Sequence, residues 1–328
     1  MAELRWNPLI KDWVIIASNR QDRPQMPEDW CPFCPGSDNI PDEYDVMMYE
    51  NDFPALSQNP PTPDDVATDF FKVKDAYGKC EVILYSSNHT ATLPGLSTEH
   101  ISKLVDLWCN RYEEMSADEK IKYVFIFENR GEVVGVTMPH PHGQIYGYSV
   151  IPKKIELELD ALKEYYKENS RCLFCDLLEN EQESGKRIIF SNEHFTVFIP
   201  FFSEYPYGIY IMSNSHKTNI TQFNEDERTS LAQTLKYATG MFDSLFDYKF
   251  PYMMCMHNAP VNIIDDESNC IDNCCHFHIA FYPPMRSKDK QKFNASSETG
   301  VWAHCNTTAP EQTADELRTA YDKFLSNL

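Results

Sequence analysis

Residues 138–146 read Met-Pro-His-Pro-His-Gly-Gln-Ile-Tyr, and the stretch His140-Pro141-His142-Gly143-Gln144 decides how the whole chain is interpreted. Side chains two residues apart in an extended segment lie on one face, so we expect His140, His142 and Gln144 to face the same side. That face would offer a metal ligand or nucleophile beside a neutral hydrogen-bond donor. A turn with two solvated histidines is the simpler alternative, and the rest of the chain distinguishes the two.

The composition limits the classes of partner. The 328 residues include 29 Lys and Arg against 50 Asp and Glu, a formal net charge of −21. Nucleic acids and anionic membrane surfaces bind basic proteins, so we expect neither as a partner. No apolar run approaches the ~20 residues of a membrane span, and no signal peptide is visible at the start. We therefore predict a cytoplasmic protein whose 11 cysteines are reduced thiols.

The second half of the chain repeats the first. Five segments recur in the same order, which predicts an internal duplication. The matches are Cys31-Pro-Phe-Cys34 with Cys172-Leu-Phe-Cys175, Glu50–Phe53 with Asn192–Phe195, Val82–His89 with Ile209–His216, Phe125–Asn129 with Met254–Asn258, and His140-Pro-His142 with His276-Phe-His278.

Hydrophobic periodicity predicts a main helix in each half, at 97–115 and 225–246, the second beginning after Asn224 with Glu227 in a capping-box position. β-branched and aromatic runs predict strands at 81–85, 122–127, 188–189 and 196–199. We predict a charged connecting helix at 153–170 and an irregular Pro-rich loop at 54–64. The fold class is α+β, with two tandem repeats, each an antiparallel sheet with a main helix, and domains at 1–165 and 166–328.

Each repeat carries a Cys-x-x-Cys pair, a histidine after a strand and the first histidine of the His-x-His motif. Two thiolates and two imidazoles are ligands that Zn²⁺ takes in closed tetrahedral sites, so both sets are predicted to bind structural zinc, with iron as an alternative in the second. A redox role for a Cys-x-x-Cys pair is the alternative, but the matching histidines favour a metal. The two sets are Cys31, Cys34, His89 and His140, and Cys172, Cys175, His216 and His276.

The two repeats differ at the position of Gln144. His278 corresponds to His142, but Ala280 stands where Gln144 would be. A duplicated protein with one surviving active site would show this asymmetry. Glu158 and His257 could add to a metal environment in the second repeat, or be ordinary polar groups.

The combined motifs resemble the galactose-1-phosphate uridylyltransferases of the histidine-triad superfamily, along nearly the whole chain. The two repeats would then be histidine-triad-like domains. The resemblance rests on His140–Gln144 and on the following segments: Asn7–Trp13, Asn19-Arg-Gln-Asp-Arg-Pro24, Asn51-Asp-Phe-Pro-Ala-Leu56, Phe127-Glu-Asn-Arg-Gly131, Gly135-x-Thr137 and Phe281–Ser287 with Lys292-Phe293 and Glu298.

The resemblance implies a nucleotidyltransferase of galactose metabolism that exchanges UMP between UDP-glucose and galactose 1-phosphate and releases glucose 1-phosphate. His142 would be the nucleophile of a ping-pong reaction through a uridylyl-histidine, and Gln144 would donate to a phosphoryl oxygen. The resemblance also implies a homodimer with phosphate-facing arginines across its interface. The binding residues that it implies are Arg20 and Arg23 for phosphate, Asn51, Asp52 and Phe53 for uridine, Asn129, Gly135 and Thr137 near the α-phosphate, and Lys292, Phe293 and Glu298 for the hexose phosphate.

Two departures from the family pattern affect these assignments. Some members build the second metal site from a glutamate and three histidines, but here Ala280 would leave only Glu158, His257 and His278, so we prefer the Cys172 set. Ser297 replaces a tyrosine that many relatives carry, which leaves the acceptor sugar open. The alternatives are another nucleotidyltransferase or phosphorylase with an adenylyl donor, and a catalytically silent zinc-stabilised binding module.

Overall fold

The computed structural model describes residues 2–21, 30–37, 40–263 and 270–328, so Arg23 lies outside the described residues. The helices of the described part are α1 Thr98–Ser116, α2 Lys153–Asn169, α3 Leu173–Ser184, α4 Glu225–Phe246, α5 Ile271–Cys274, α6 Ser296–Val301 and α7 Pro310–Leu325. Its strands are β1 Ala2–Asn7, β2 Asp12–Ala17, β3 Met47–Glu50, β4 Val73–Asp75, β5 Gly78–Leu84, β6 Tyr123–Arg130, β7 His142–Tyr148, β8 Ile188–Ser191, β9 Phe195–Phe198, β10 Tyr210–Ser213, β11 Tyr252–His257, β12 His278–Tyr282, β13 Met285–Ser287 and β14 Lys290–Gln291.

The two repeats share one sheet. Within the described ranges, nine strands pair in the order β3-β5-β7-β6-β11-β12-β10-β9-β8. Antiparallel pairing of β6 with β11, with Glu128 opposite Met254, joins the halves. The predicted α+β class is confirmed, and each repeat contributes part of a continuous sheet.

The two main helices lie on one side of this sheet, as their periodicity predicts. The α1 residues Leu104 and Trp108 and the α4 residues Leu231 and Leu235 are fully buried in the same core as the sheet residue Ile145. The predicted capping box is present, because Asn224 Oδ1 accepts from the Glu227 N–H at 2.9 Å and Glu227 Oε2 accepts from the Asn224 N–H at 2.8 Å.

A small sheet of β2, β1 and β4 covers the opposite face of the first repeat. Ala2 and Leu4 of β1 pack with Tyr146 of β7 in a second hydrophobic cluster. This packing brings the segment that follows β2, including Arg20, next to the strand that begins at His142.

The strand register corrects the sequence comparison of the repeats. Gln144 lies opposite Phe127, and Ala280 lies opposite Cys255, so Cys255 rather than Met256 is the structural counterpart of Phe127. The motif comparison is therefore one residue out of register along these strands. Because a slip of one residue moves a side chain to the other face of a sheet, His257 and not Asn258 occupies the place of Asn129.

The connecting helix is confirmed as α2, and the predicted domain boundary at residue 165 falls inside it. The division into 1–165 and 166–328 stays a prediction.

Across the described residues, none of the helices combines the length and the apolar character that a membrane crossing requires.

Candidate active site and metal centres

The His140–Gln144 motif lies at the start of β7, an interior strand of the nine-stranded sheet. His142 is its first residue, and His140 lies just before it. His142 and Gln144 therefore share a strand face as predicted, whereas His140 is buried in the preceding turn. Both imidazoles still pack against one ring, with centroid distances from Phe33 of 6.1 Å for His140 and 5.6 Å for His142.

A backbone contact selects the tautomer of His142. Nδ1 of His142 lies 2.7 Å from the carbonyl oxygen of His140. A carbonyl can only accept, so Nδ1 carries the proton and Nε2 carries the lone pair. The backbone contact thus leaves the lone pair of this ring on Nε2.

The carboxamide of Gln144 is buried and hydrogen-bonded on one side. The Tyr146 hydroxyl donates to Gln144 Oε1 at 2.9 Å, and Arg20 Nη1 donates to the Tyr146 hydroxyl at 3.2 Å. Arg20 therefore lies close to Gln144 of its own chain, through Tyr146, which was not among the predicted site residues. Its predicted contact with phosphate across a dimer interface stays a prediction. The available signal was the position of Tyr146 two residues after Gln144, on the same strand face.

The first predicted metal set comes together. The ligand atoms of Cys31, Cys34, His89 and His140 all lie within 4.8 Å of one another. Cys34 Sγ lies 3.4 Å from His89 Nδ1 and 3.8 Å from His140 Nδ1. A tetrahedral zinc ion with its usual bond lengths requires sulfur–nitrogen separations of roughly 3.6 Å, so the donor set fits zinc.

The surroundings of His140 suit a metal ligand. Its Nε2 donates to the Ser86 carbonyl at 2.8 Å, which leaves the Nδ1 lone pair directed at the thiols. Burial lowers the pKa of His140 to about 4, so the ring is neutral at pH 7. The Tyr44 hydroxyl, 2.9 Å from the same Nε2, was not predicted as part of this centre.

The second predicted set comes together in the same way. Cys175 Sγ lies 3.4 Å from Nδ1 of both His216 and His276, and Cys172 completes the group. Nε2 of His276 lies 2.9 Å from the Ser213 carbonyl, which matches the arrangement of the first set. This donor set also fits a tetrahedral metal ion.

A third group lies beside the second set. Ligand atoms of Glu158, His257 and His278 are within 4.8 Å of one another. His257 Nδ1 is 3.3 Å from Glu158 Oε2, and the rings of His257 and His278 stack with centroids 4.4 Å apart. These three residues thus approach each other as the family comparison implies, without the fourth ligand that Ala280 replaces.

The residues implied for uridine follow β3. Phe53 N–H donates to Asn51 Oδ1 at 2.9 Å, and the buried Tyr49 hydroxyl donates to the exposed Asp52 carboxylate at 3.0 Å. The turn is therefore ordered by its own side chains, and Asp52 faces solvent.

The residues implied for the α-phosphate surround the loop between β6 and β7. Asn129 is the next-to-last residue of β6, and Gly135 has φ +81°, a conformation that favours glycine. The Thr137 hydroxyl is buried and has no hydrogen-bond partner among the described residues. The role of Thr137 near the α-phosphate stays a prediction.

The segment implied for the hexose phosphate lies with the second repeat. Lys292 Nζ is 3.4 Å from Glu298 Oε1, and the ammonium lies 5.4 Å from the centre of the Tyr205 ring. Phe293 is 70% exposed, so its ring is accessible to a ligand or a second chain.

Neighbouring atoms leave no room for a side chain at Gly143. A Cβ at this position would lie 2.3 Å from Tyr85 Oη and 3.0 Å from the Phe127 carbonyl oxygen. Tyr85 is 1% exposed and packs against Trp108, so it has little room to move. We expect Gly143→Ala to cost about 1–3 kcal/mol of stability and to slow catalysis, because it displaces the backbone between His142 and Gln144.

Thermal unfolding and a nucleotidyl-transfer assay would test this. Gly300→Ala is the control for stability, because a Cβ there meets no heavy atom within 4 Å. An unchanged melting temperature and rate in Gly143→Ala would contradict the prediction.

Comparison with known protein families gives two matches in tandem. Residues 1–152 match the model of the galactose-1-phosphate uridyl transferase N-terminal domain, and residues 158–325 match that of the C-terminal domain. The chain is 41% identical to the galactose-1-phosphate uridylyltransferase of Thermotoga maritima over 97% of this chain and 98% of that protein.

Solved structures of related proteins have the same fold. A uridylyltransferase structure superposes with a TM-score of 0.89 at 30% identity, covering 98% of this chain and 99% of the other. An ADP-glucose phosphorylase from Arabidopsis thaliana has a TM-score of 0.73 at 23% identity over 97% of this chain and 99% of that one, which shows a shared fold.

Proposed function

Since the chain belongs to the galactose-1-phosphate uridylyltransferase family and is a nucleotidyltransferase, we propose that it exchanges UMP between UDP-glucose and galactose 1-phosphate in two steps through a uridylyl group on His142. The observation that carries the proposal is the 2.7 Å contact between His142 Nδ1 and the His140 carbonyl oxygen. It leaves Nε2 as the nucleophilic nitrogen.

In the first step, His142 Nε2 attacks the α-phosphorus of UDP-glucose. The new N–P bond forms as the bond to the bridging oxygen breaks, and glucose 1-phosphate leaves with the electron pair. In the second step a phosphate oxygen of galactose 1-phosphate attacks the same phosphorus, and the N–P bond electrons return to Nε2. Splitting the exchange into two similar displacements is the advantage of covalent catalysis.

Gln144 supports both steps as a neutral donor. An amide N–H stabilises negative charge on a phosphoryl oxygen, but a carboxamide cannot transfer a proton at neutral pH. The leaving sugar phosphate needs no proton, and Gln144 offers no base to activate water. Transfer to a sugar phosphate should therefore exceed hydrolysis.

The remaining implied residues are proposed to bind the substrates. Arg20 and Arg23 would contact phosphate in a homodimer, and the Asn51–Phe53 turn would hold the uridine. Asn129, Gly135 and Thr137 would surround the α-phosphate, and Lys292, Phe293 and Glu298 would recognise the hexose phosphate.

The two Cys/His groups are proposed to hold structural metal ions, zinc in the first and zinc or iron in the second. The first group contains His140, whose carbonyl oxygen orients His142. A metal bound there would keep that carbonyl in place.

Intact mass spectrometry after mixing with UDP-glucose tests the function. We expect a uridylyl-sized mass increase that galactose 1-phosphate removes. The same experiment is run with ADP-glucose as an alternative donor. An adduct from ADP-glucose alone would support the adenylyl alternative, and the absence of any adduct or exchange would contradict the proposal.

A further inference from the structure

The carboxamide that the proposed function uses has two ends with opposite chemistry. An N–H end directed at a phosphoryl oxygen stabilises the developing charge, whereas an oxygen in the same place would repel it. Rotation of the side-chain amide by about 180° exchanges the two ends at little intrinsic cost, since this torsion is broad and roughly two-fold. The active site therefore needs a device that selects one orientation of Gln144.

The Tyr146 hydroxyl supplies such a device. It has one proton to donate, and it accepts from Arg20 Nη1 at 3.2 Å while donating to Gln144 Oε1 at 2.9 Å. Arg20 cannot accept a hydrogen bond, so the direction of this chain runs from the guanidinium to the hydroxyl to the carboxamide oxygen. With Oε1 held by Tyr146, the amide nitrogen of Gln144 lies on the side of the carboxamide that faces away from the tyrosine hydroxyl.

Two of the three members, Tyr146 and Gln144, are buried, and Arg20 is half-buried. Tyr146 is 7% exposed and Gln144 8% exposed. The Tyr146 ring packs edge-on against Phe127, with centroids 5.1 Å apart. The Cys80 thiol also lies near this hydroxyl, but a thiol is a weak acceptor beside an amide oxygen.

The second repeat contains the same pair without the amide. Phe125 lies opposite Tyr146, and Met253 lies opposite Tyr282, so the two tyrosines are counterparts. Lys154 Nζ donates to the Tyr282 hydroxyl at 3.0 Å, as Arg20 does to Tyr146. Ala280 takes the place of Gln144, so the second pair has no carboxamide to orient.

We propose that Tyr146, held by Arg20, is a positioning residue that fixes the Gln144 carboxamide with its amide nitrogen toward the phosphoryl group. The inference rests on the proposed function and deepens it, because it assigns the direction of the donor in that reaction.

A double-mutant cycle tests the inference. Tyr146→Phe keeps the ring and removes the hydroxyl, and we expect kcat for UMP transfer to fall about tenfold, the effect of one net hydrogen bond, while KM for UDP-glucose changes little. In a Gln144→Ala background the same change should have no further effect, because there is no carboxamide left to orient. Tyr282→Phe is the matched control and should leave the rate unchanged.

The cycle separates positioning from a general structural defect. If Tyr146→Phe acted only by disturbing the structure, it would slow the wild-type enzyme and the Gln144→Ala variant by the same factor. This comparison holds whether or not Tyr146→Phe also lowers the melting temperature. Equal slowing, or a Tyr146→Phe enzyme as fast as the wild type, would overturn this inference while the wild-type rate still supports the proposed function. A wild-type chain that transfers no uridylyl group would overturn both.

Discussion

Replacing His142 by alanine is expected to reduce UMP transfer on the order of 10⁶-fold, the scale found when a covalent nucleophile is deleted. In the proposed mechanism the imidazole supplies the atom that bonds to phosphorus, and its tautomer is set by the 2.7 Å contact with the His140 carbonyl oxygen. Gln144 and the other proposed binding residues would still stabilise a bound substrate but could not form the proposed intermediate. We therefore expect binding of UDP-glucose to persist while chemistry stops.

Steady-state rates and intact masses in the presence of UDP-glucose would measure the effect. His194→Ala is the matched control, because His194 lies in the turn between β8 and β9 of the second repeat. A uridylyl adduct on His142→Ala, or a rate within tenfold of the wild type, would show that another group is the nucleophile.

Removing the metal ions is expected to lower the melting temperature by roughly 10 °C or more. The four proposed ligands of each set come from separated parts of the chain, and metal binding at such a site would add directly to the free energy of folding. Loss of several kcal/mol is comparable to the whole stability of a typical domain. Each kcal/mol shifts the melting temperature by about 2–4 °C in a chain of 150–250 residues.

The two sets should differ in their effect on activity. Cys34→Ser disturbs the group that contains His140, and with it the carbonyl oxygen that orients His142. Cys175→Ser disturbs the set built from Cys172, His216 and His276, in the repeat without the carboxamide. We expect both variants to lose stability and Cys34→Ser to lose far more transfer activity.

Metal content per chain, thermal unfolding and transfer rate would be measured for both variants. Two metal ions per chain would match the two Cys/His sets, and a third would assign an ion to Glu158, His257 and His278. A chelated protein that keeps its melting temperature would contradict the structural role. Equal loss of activity in the two variants would contradict the link between the first set and His142.

Local patterns predicted the secondary structure well. The helices at 97–115 and 225–246 appear as α1 and α4, and the capping box at Asn224 is formed. These features depend on residues three or four apart, whose geometry follows from the helix itself. The two Cys/His groupings were also predictable, because the same thiols and imidazoles occur in the same order in both repeats.

Contacts between distant segments were not predictable in the same way. The slip of one residue between the repeats, which puts His257 in the place of Asn129, appears only in the ladder of hydrogen bonds. The link from Arg20 to Gln144 joins residues more than a hundred positions apart through a tyrosine hydroxyl. Neither follows from spacing along the chain.

The sequence by itself determined the α+β class, the duplication and the two Cys/His groupings, and it supplied the residues proposed for the reaction, because each is a property of residue type and order. Only the tertiary structure decided which nitrogen of His142 carries the lone pair, which end of Gln144 is held, and that the two repeats share one sheet. These depend on ångström-scale contacts such as His142 Nδ1 to the His140 carbonyl at 2.7 Å. A hydrogen bond acts only within a narrow range of distance and angle, and folding alone brings such atoms within that range.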